Sequence, residues 1–408
     1  MLNCCMIECC EPEDKGSIGA FYVRYHAELA GHKVTVADDT SADFDVEMIS
    51  VHHCNDFPRL AKMKKRAKVR IVGGHPMQNN PIPCIPYADI IGVGEGETWI
   101  KNILNTLEKN DLNVESCRDI PGTIICKNWD GIIPATNIEE VLPDNPPYLN
   151  WEGTRSASWY IELARGCPFS CHYCELGNST KFRRYSTEQI LKKIDMCDLS
   201  KSKKINFFAP DEASYPDYQI IYDYVNKKGF TTSFSSMRID SIMKNDIDLK
   251  PNAVIRVGVD GLTQKTRFRV NKKITDLDII EYFKHYIEKG HATFKMFMIV
   301  GYEWDKFEDF DEFTNLIEEI RNIPMKKNVW LRIKWTPFIP QPCTPLRDSK
   351  PSYNYDWYCK IKEWHSVNDK PRGNRGLFIS CDGIMSVESH RKQVELTCGG
   401  LEVLKKYE

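Results

Sequence analysis

Short apolar runs, rich in branched and sulfur-containing side chains, alternate with stretches of helical periodicity along this chain. No other feature constrains the fold as strongly. "LNCCMIECC", "KVTVAD", "VEMISV", "VRIVGG" and "ADIIGVG" are strand candidates; an amphipathic helix is predicted from Gly16 to Gly31 and another at "ETWIKNILNTLEK". Apolar strands interleaved with helices bury both faces of a parallel sheet, so the predicted class is α/β, with a doubly wound, Rossmann-like domain over residues 1–140. Ligands of such sheets bind at the carboxyl ends of the strands. There the sequence places Gly73, Gly74 and His75, and the acidic turn Gly94-Glu95-Gly96-Glu97. Taken alone, these glycines read first as tight strand-to-helix turns. The proline-rich "EVLPDNPPYLNWEG" lacks periodicity and reads as a linker over residues 141–156.

A chain of 408 residues exceeds one ordinary domain. Its 55 Lys and Arg against 57 Asp and Glu leave a formal charge of −2, which argues against a large nucleic-acid footprint. The basic run Lys62 to Arg70 reads as a solvated helix end. No stretch approaches the ~20 apolar residues of a membrane span, and Met1 opens no signal segment. The expected location is therefore the cytoplasm, with no membrane partner. In that compartment thiols stay reduced, so the 16 Cys read as metal ligands and small buried residues rather than disulfides.

Beyond the linker lies "WYIELARGCPFSCHYCELG", in which Cys167, Cys171 and Cys174 have the spacing C-x3-C-x2-C. "WYIELA" reads as a strand, and Gly166 and Pro168 then oppose a helix, so the thiols sit on a loop past the strand's carboxyl end. Three close cysteines can wrap one metal centre. Iron–sulfur cubanes usually take four thiolates, one per iron, so three would leave one iron open to a chelating ligand. Structural zinc wants four ligands, and only Cys171 and Cys174 form a C-x2-C pair. Zinc and three unrelated buried thiols are the competing readings.

"RGCPFSCHYC", with Tyr173 before the third Cys, resembles the signature loop of radical S-adenosylmethionine (SAM) enzymes. The resemblance implies a [4Fe–4S] cluster on the three Cys and SAM chelating the fourth iron. Reductive cleavage of SAM then yields a 5′-deoxyadenosyl radical that abstracts a substrate hydrogen. It also implies a partial (β/α)6 barrel, here over residues 157–350. Six strand candidates fit: "WYIELA", "KINFFAP", "TTSFSS", "AVIRVGVD", "ATFKMFMIVG" and "NVWLRIKW". Helical segments lie between them, among them "STEQILKKIDMC" with a capping box at Ser186 and Gln189. Cys167, Asp211, Ser236, Arg238, Asp260 and Gly301 fall at strand carboxyl ends, where such barrels gather catalytic groups. "SSMRID" and "VGVDG" resemble stretches lining the family's SAM pocket, which makes Ser236, Arg238 and Asp260 candidate contacts. An ion pair for Arg238 and a helix cap for Asp260 are the plainer readings. Tyr282, Phe283, Tyr286, Phe307, Phe310 and Phe313 read as packing.

"VRIVGGHPMQNNP" and "YADIIGVGEGE" resemble the cobalamin-binding-type domain that precedes many barrels of this family. Gly73, Gly74 and Glu95 thereby become candidate cofactor contacts. "TPFIPQPCTPL" resembles the end of the barrel in the same group. The D-x-H-x-x-G motif that ligates cobalt is missing; the corresponding region reads "ECCEPEDKG". A rival resemblance is to methylthiotransferases, with a second cluster on Cys9 or Cys10 and Cys54, but His75 stands at the third position. Cys359, Cys381 and Cys398 are a further, widely spaced trio. Residues 351–408 are expected to cap the barrel mouth, since a radical must be shielded from solvent. The implied activity is attack on an unactivated C–H bond, by methyl transfer if cobalamin binds and by rearrangement otherwise. A non-catalytic metal-binding or regulatory protein is the competing class. The implied partners are an electron donor such as flavodoxin or ferredoxin, and a substrate that is a small molecule, a peptide or a modified nucleobase. No catalytic residue is assigned.

Overall fold

A computed structural model describes residues 1–37, 43–139, 142–149, 157–233, 235–250, 253–369 and 376–408. The five apolar runs before residue 97 become β1 (Asn3–Cys9), β2 (Lys33–Val36), β3 (Phe44–Val51), β4 (Ala67–Gly73) and β5 (Ile90–Gly92). With β6 (Thr123–Ile125) they form one sheet of order β2-β1-β3-β4-β5-β6, parallel except for the antiparallel edge strand β6.

Side chains alternate between the two faces of this sheet. Val46, Met48, Ile71 and Ile90 pack with helix α1 (Ile18–Leu29) and helix α3 (Glu97–Lys109), which buries Trp99, Ile100, Ile103, Leu104 and Leu107. Ile49, Val51, Val72 and Ile91 pack on the opposite face with Phe57 and Leu60 of α2 (Phe57–Lys62). A sheet buried on both faces explains why its strands read as continuous apolar runs. Ser17 caps α1 by accepting from the amide of Ala20.

The region expected as a bare linker is partly ordered against the barrel. Tyr148–Leu149 form β7, antiparallel to β8 (Ser158–Glu162), and Pro143 O accepts from Lys193 and Tyr185. Residues 150–156 lie outside the described residues. Next come β9 (Ala164–Arg165), β10 (Arg183–Arg184), α4 (Thr187–Asp195), β11 (Lys204–Phe208), α5 (Tyr218–Lys227), β12 (Thr231–Ser233), α6 (Ile239–Lys244) and β13 (Ile255–Gly258). They are succeeded by α7 (Gln264–Arg269), α8 (Asp276–Glu288), β14 (Thr293–Val300), α9 (Asp309–Arg321) and β15 (Val329–Pro337). All six segments expected as barrel strands form strands. They fall in two four-stranded sheets, β12-β11-β8-β7 and β13-β14-β15 with one further strand, joined by a parallel bridge between Met237 and Val257. The capping box at Ser186 and Gln189 forms at the start of α4.

On β14, Phe294, Met296, Met298 and Val300 are buried while their neighbours in sequence are only half-buried. The buried set meets Tyr282, Phe283 and Tyr286 of α8 and Phe310 and Phe313 of α9, so these aromatics are packing, as expected. Phe307 instead stands 40% exposed beside Trp357. Burying each such ring contributes about 2–3 kcal/mol.

Residues 351–408, expected as a cap, contribute two elements to the barrel itself. Helix α10 (Tyr355–Asn368) packs Trp357, Ile361 and Trp364 into the barrel core, and β16 (Leu377–Ile384) pairs in parallel with β15. Helix α11 (Val387–Cys398) then leaves this sheet for the first domain, where Leu396 and Leu404 complete the cluster around α2.

Candidate functional site

The cysteine loop is closed at its base by the antiparallel pairing of β9 with β10. Gly166 stands at φ +70°, and a Cβ there would lie 2.5 Å from Lys181 O. At Gly177 a Cβ would meet Phe169 O at 2.0 Å, so the backbone crosses itself at a point only glycine allows. Within the loop, Asn178 Nδ2 donates to Cys171 O at 2.9 Å and Cys174 O at 2.7 Å. Two outside carbonyl–amide contacts fix its far side: His172 N donates to Val270 O, and Leu346 N to His172 O.

These constraints bring the three thiols together on one loop: Cys171 is buried, and Cys167 and Cys174 are half-buried. Burial pushes the Cys167 thiol up to about 11 and raises Cys174, with further upward pressure from the other cysteines. Bare, these two hold their protons at neutral pH; a metal centre must displace them, so its binding releases protons.

Tyr173, between the last two cysteines, donates to Asp260 Oδ2 at 2.7 Å, and Lys272 Nζ shares the same oxygen. Asp260 is a non-glycine residue at φ +61°, buried at the end of β13. Its carboxylate therefore anchors the cysteine loop; α7 is capped by Thr263 instead. Arg238 stacks its guanidinium on Phe169 at 3.9 Å, donates to Cys171 Sγ at 3.4 Å and pairs with Asp240 at 2.8 Å. Its amide donates to Asp211 Oδ1 at 3.0 Å, whereas Asp211 Oδ2 is buried without a hydrogen-bond partner among the described residues. Burial raises both Asp211 and its neighbour Glu212, the latter to about 7. Ser236 is exposed on the loop before α6. Gly301, at φ +79°, lies against Tyr353 at the end of β14.

A cavity of about 540 Å3 opens between the carboxyl ends of the first sheet and this loop. Its volume is within the ordinary range of ligand pockets, about 300–1,000 Å3. Gly73, Gly74, Gly94 and Gly96 line one wall, with Ser50 and Ile49; Gly166, Leu176 and Thr180, which flank the cysteines, line the other. A Cβ on Gly74, at φ +119°, would lie 2.0 Å from Val51 O, so this glycine is required by the backbone itself. Glu95 also lines the cavity, but its carboxylate is held by Arg183 at 2.9 Å and Arg165 at 3.3 Å. Arg165 binds Glu97 and Glu162 as well, and His75 meets Glu175 at 2.7 Å, so charged pairs fasten the domains around the opening. Arg165, Arg183, Lys272 and Glu175 were not singled out from the sequence. The only local signal was a cation directly before Gly166-Cys167.

Cys10, Cys54 and His75 do not come together as one ligand set. Cys54 Sγ contacts Thr397, and the group of three possible ligands found among the described residues is Glu8, Cys10 and His52. Cys359, Cys381 and Cys398 are exposed and form no such group. The cations of the basic run that the structure describes include Lys65 paired with Asp89, Lys68 with Asp45 and Arg70 with Glu47. Among the described residues no helix is long and apolar enough to cross a membrane.

Residues 161–317 match the model of the Radical SAM superfamily. An uncharacterized protein of Methanocaldococcus jannaschii, MJ0966, is 21% identical over 75% of this chain and 69% of its own length. The bacteriochlorophyllide d C-8(2)-methyltransferase of Chlorobaculum tepidum is 22% identical over 85% of this chain and 76% of its own. Among solved structures, the radical S-adenosylmethionine methyltransferase TsrM of Kitasatospora setae, with cobalamin and [4Fe–4S] cluster bound, superposes with a TM-score of 0.62. It covers 84% of this chain and 76% of that one at 11% identity, a likeness of fold.

Proposed function

We infer that this chain, which carries a radical SAM superfamily domain over residues 161–317, is a corrinoid-using radical SAM enzyme that methylates carbon. The observation that carries this reading is the shared wall: residues flanking the three thiols also line the cavity at the carboxyl ends of the first sheet. Cys167, Cys171 and Cys174 would hold three irons of a [4Fe–4S] cluster, leaving the fourth for the amino and carboxylate groups of SAM. The cavity, with Gly73, Gly74, Gly94 and Gly96 along one wall, suits a flat macrocycle. When bound, the cluster and SAM supply the reducing, radical-forming chemistry, and the corrinoid supplies a methyl carrier.

The chain's own residues position and shield these groups. Arg238 donates to Cys171 Sγ and favours added negative charge on that sulfur. Asp211, buried against the Arg238 amide with Oδ2 lacking a hydrogen-bond partner among the described residues, would accept from an ammonium such as that of a bound methionine moiety. Asp260 fixes the loop through Tyr173. The name of the Chlorobaculum relative describes methylation at carbon, which favours methyl transfer over rearrangement. A one-electron donor of the flavodoxin or ferredoxin kind completes the scheme. The test is anaerobic reconstitution with iron and sulfide, then dithionite and SAM, with 5′-deoxyadenosine and extracted corrinoid measured. A full cluster that cleaves no SAM overturns the enzymatic reading; cleavage by protein that binds no corrinoid overturns the methylation reading.

A further inference from the structure

Strands β13 to β15 carry three cations at one level. The register pairs Arg256 with Lys295 and Lys295 with Arg332. Their sequence neighbours Ile255, Val257, Phe294, Met296, Leu331 and Ile333 are fully buried against the helices. By alternation the three cations therefore share the helix-free face, and Lys334, two residues beyond Arg332, joins them. Adjacent strands lie ~4.8 Å apart, so like charges at one level repel and cost stability unless an anion meets them.

The four strands β13 to β16 contain one acidic residue, Asp382. A register shift opposite Ile333 and Lys334 brings its carboxylate to this face, where it meets Lys295 at 2.5 Å and Arg332 at 3.8 Å. Against Lys295, Arg332 and Lys334 these strands thus set a single carboxylate. Lys334 makes no ion pair among the described residues, and Arg332 Nε is buried without a hydrogen-bond partner. Nothing in the cluster or SAM chemistry uses this wall, which lies five residues, or roughly 16 Å, below the carboxyl end of β14.

We propose that this cationic wall binds an oxyanion, a phosphate or carboxylate group at the end of an extended substrate opposite the reacting carbon. This rests on the reading of the chain as a radical SAM enzyme, but the test does not require turnover. The cluster-loaded protein is titrated calorimetrically with pyrophosphate, inorganic phosphate and succinate at fixed ionic strength. One saturable site is expected, weakened at least tenfold in Lys295→Gln/Arg332→Gln and kept within severalfold in Arg332→Lys. Stronger binding of the phosphates marks a phosphate ester as the substrate group; stronger binding of succinate marks a carboxylate. Should the double variant unfold, the wild-type affinity still reads the same contacts, because it must fall steeply with added sodium chloride. Absence of saturation with all three anions overturns the proposal, as does affinity indifferent to both charge removal and salt. If such protein still cleaves SAM, this inference fails while the proposed function stands; if it binds the anions but never cleaves SAM, the reverse holds.

Discussion

Replacing Asp260 by Asn separates two roles: direct contact with SAM, the candidate role from the sequence, and anchorage of the cysteine loop, which the structure adds. The carboxylate is buried and accepts from Tyr173 at 2.7 Å while neutralising Lys272, itself 4% exposed. Asn keeps an acceptor for Tyr173 but strands the Lys272 ammonium. Breaking a buried pair in this way costs about 3–5 kcal/mol. At roughly 2–4 °C per kcal/mol for a domain of this size, the unfolding midpoint should fall by about 6–20 °C. Scanning calorimetry under anaerobic conditions measures that shift, with iron per chain and 5′-deoxyadenosine per iron determined on the same sample. Anchorage predicts less iron retained but unchanged turnover per loaded cluster. It also predicts that adding Lys272→Met to Asp260→Asn recovers much of the stability, because the orphaned charge is gone. An unchanged midpoint and full iron, combined with a raised KM for SAM, would refute the anchorage argument and assign Asp260 to the SAM pocket.

Gly177→Ala should abolish iron incorporation, since its methyl would lie 2.0 Å from Phe169 O; iron per chain reads this directly, and a fully loaded variant would contradict it. Glu212 is held above its ordinary range by burial, to about 7, so the folded state binds that proton more tightly than the unfolded chain. Its contribution to stability is complete below about pH 4.5 and is lost as the pH rises through 7; Glu212→Gln should flatten that part of the denaturation profile, and an unaltered slope counts against it. Deleting residues 351–408 removes β16 and the buried Trp364, Leu396 and Leu404, so the shortened chain should fail to accumulate as soluble folded protein. A soluble truncation with a wild-type circular dichroism spectrum would show that these elements are dispensable.

Most strands of both domains were legible because they are short runs rich in apolar or β-branched side chains, and the cysteine loop because its spacing is local. Ser186 and Gln189 were legible for the same reason: the capping box spans four residues. What escaped depends on distance along the chain. Asp260 and Tyr173 are 87 positions apart, and Arg183 and Glu95 are 88, so no local pattern announces either contact. β6 and β7 are only three and two residues long and exist through their neighbours. β16 was hidden because "LFISCDGI" mixes polar residues into a weak alternation, and only pairing with β15 makes it a strand. The gathering of Gly73, Gly74 and Glu95 around a cavity stems from their strand ends. That Glu95 commits its charge to two arginines of the other domain does not.

Helix α11 returns to the first domain and completes the packing around Phe57 and Leu60 with Leu396 and Leu404. During synthesis, then, the amino-terminal half cannot reach its final state until nearly everything else has left the ribosome. The polypeptide also traverses the border between the halves twice, once near residue 145 and once near residue 386, like a strap buckled at both ends.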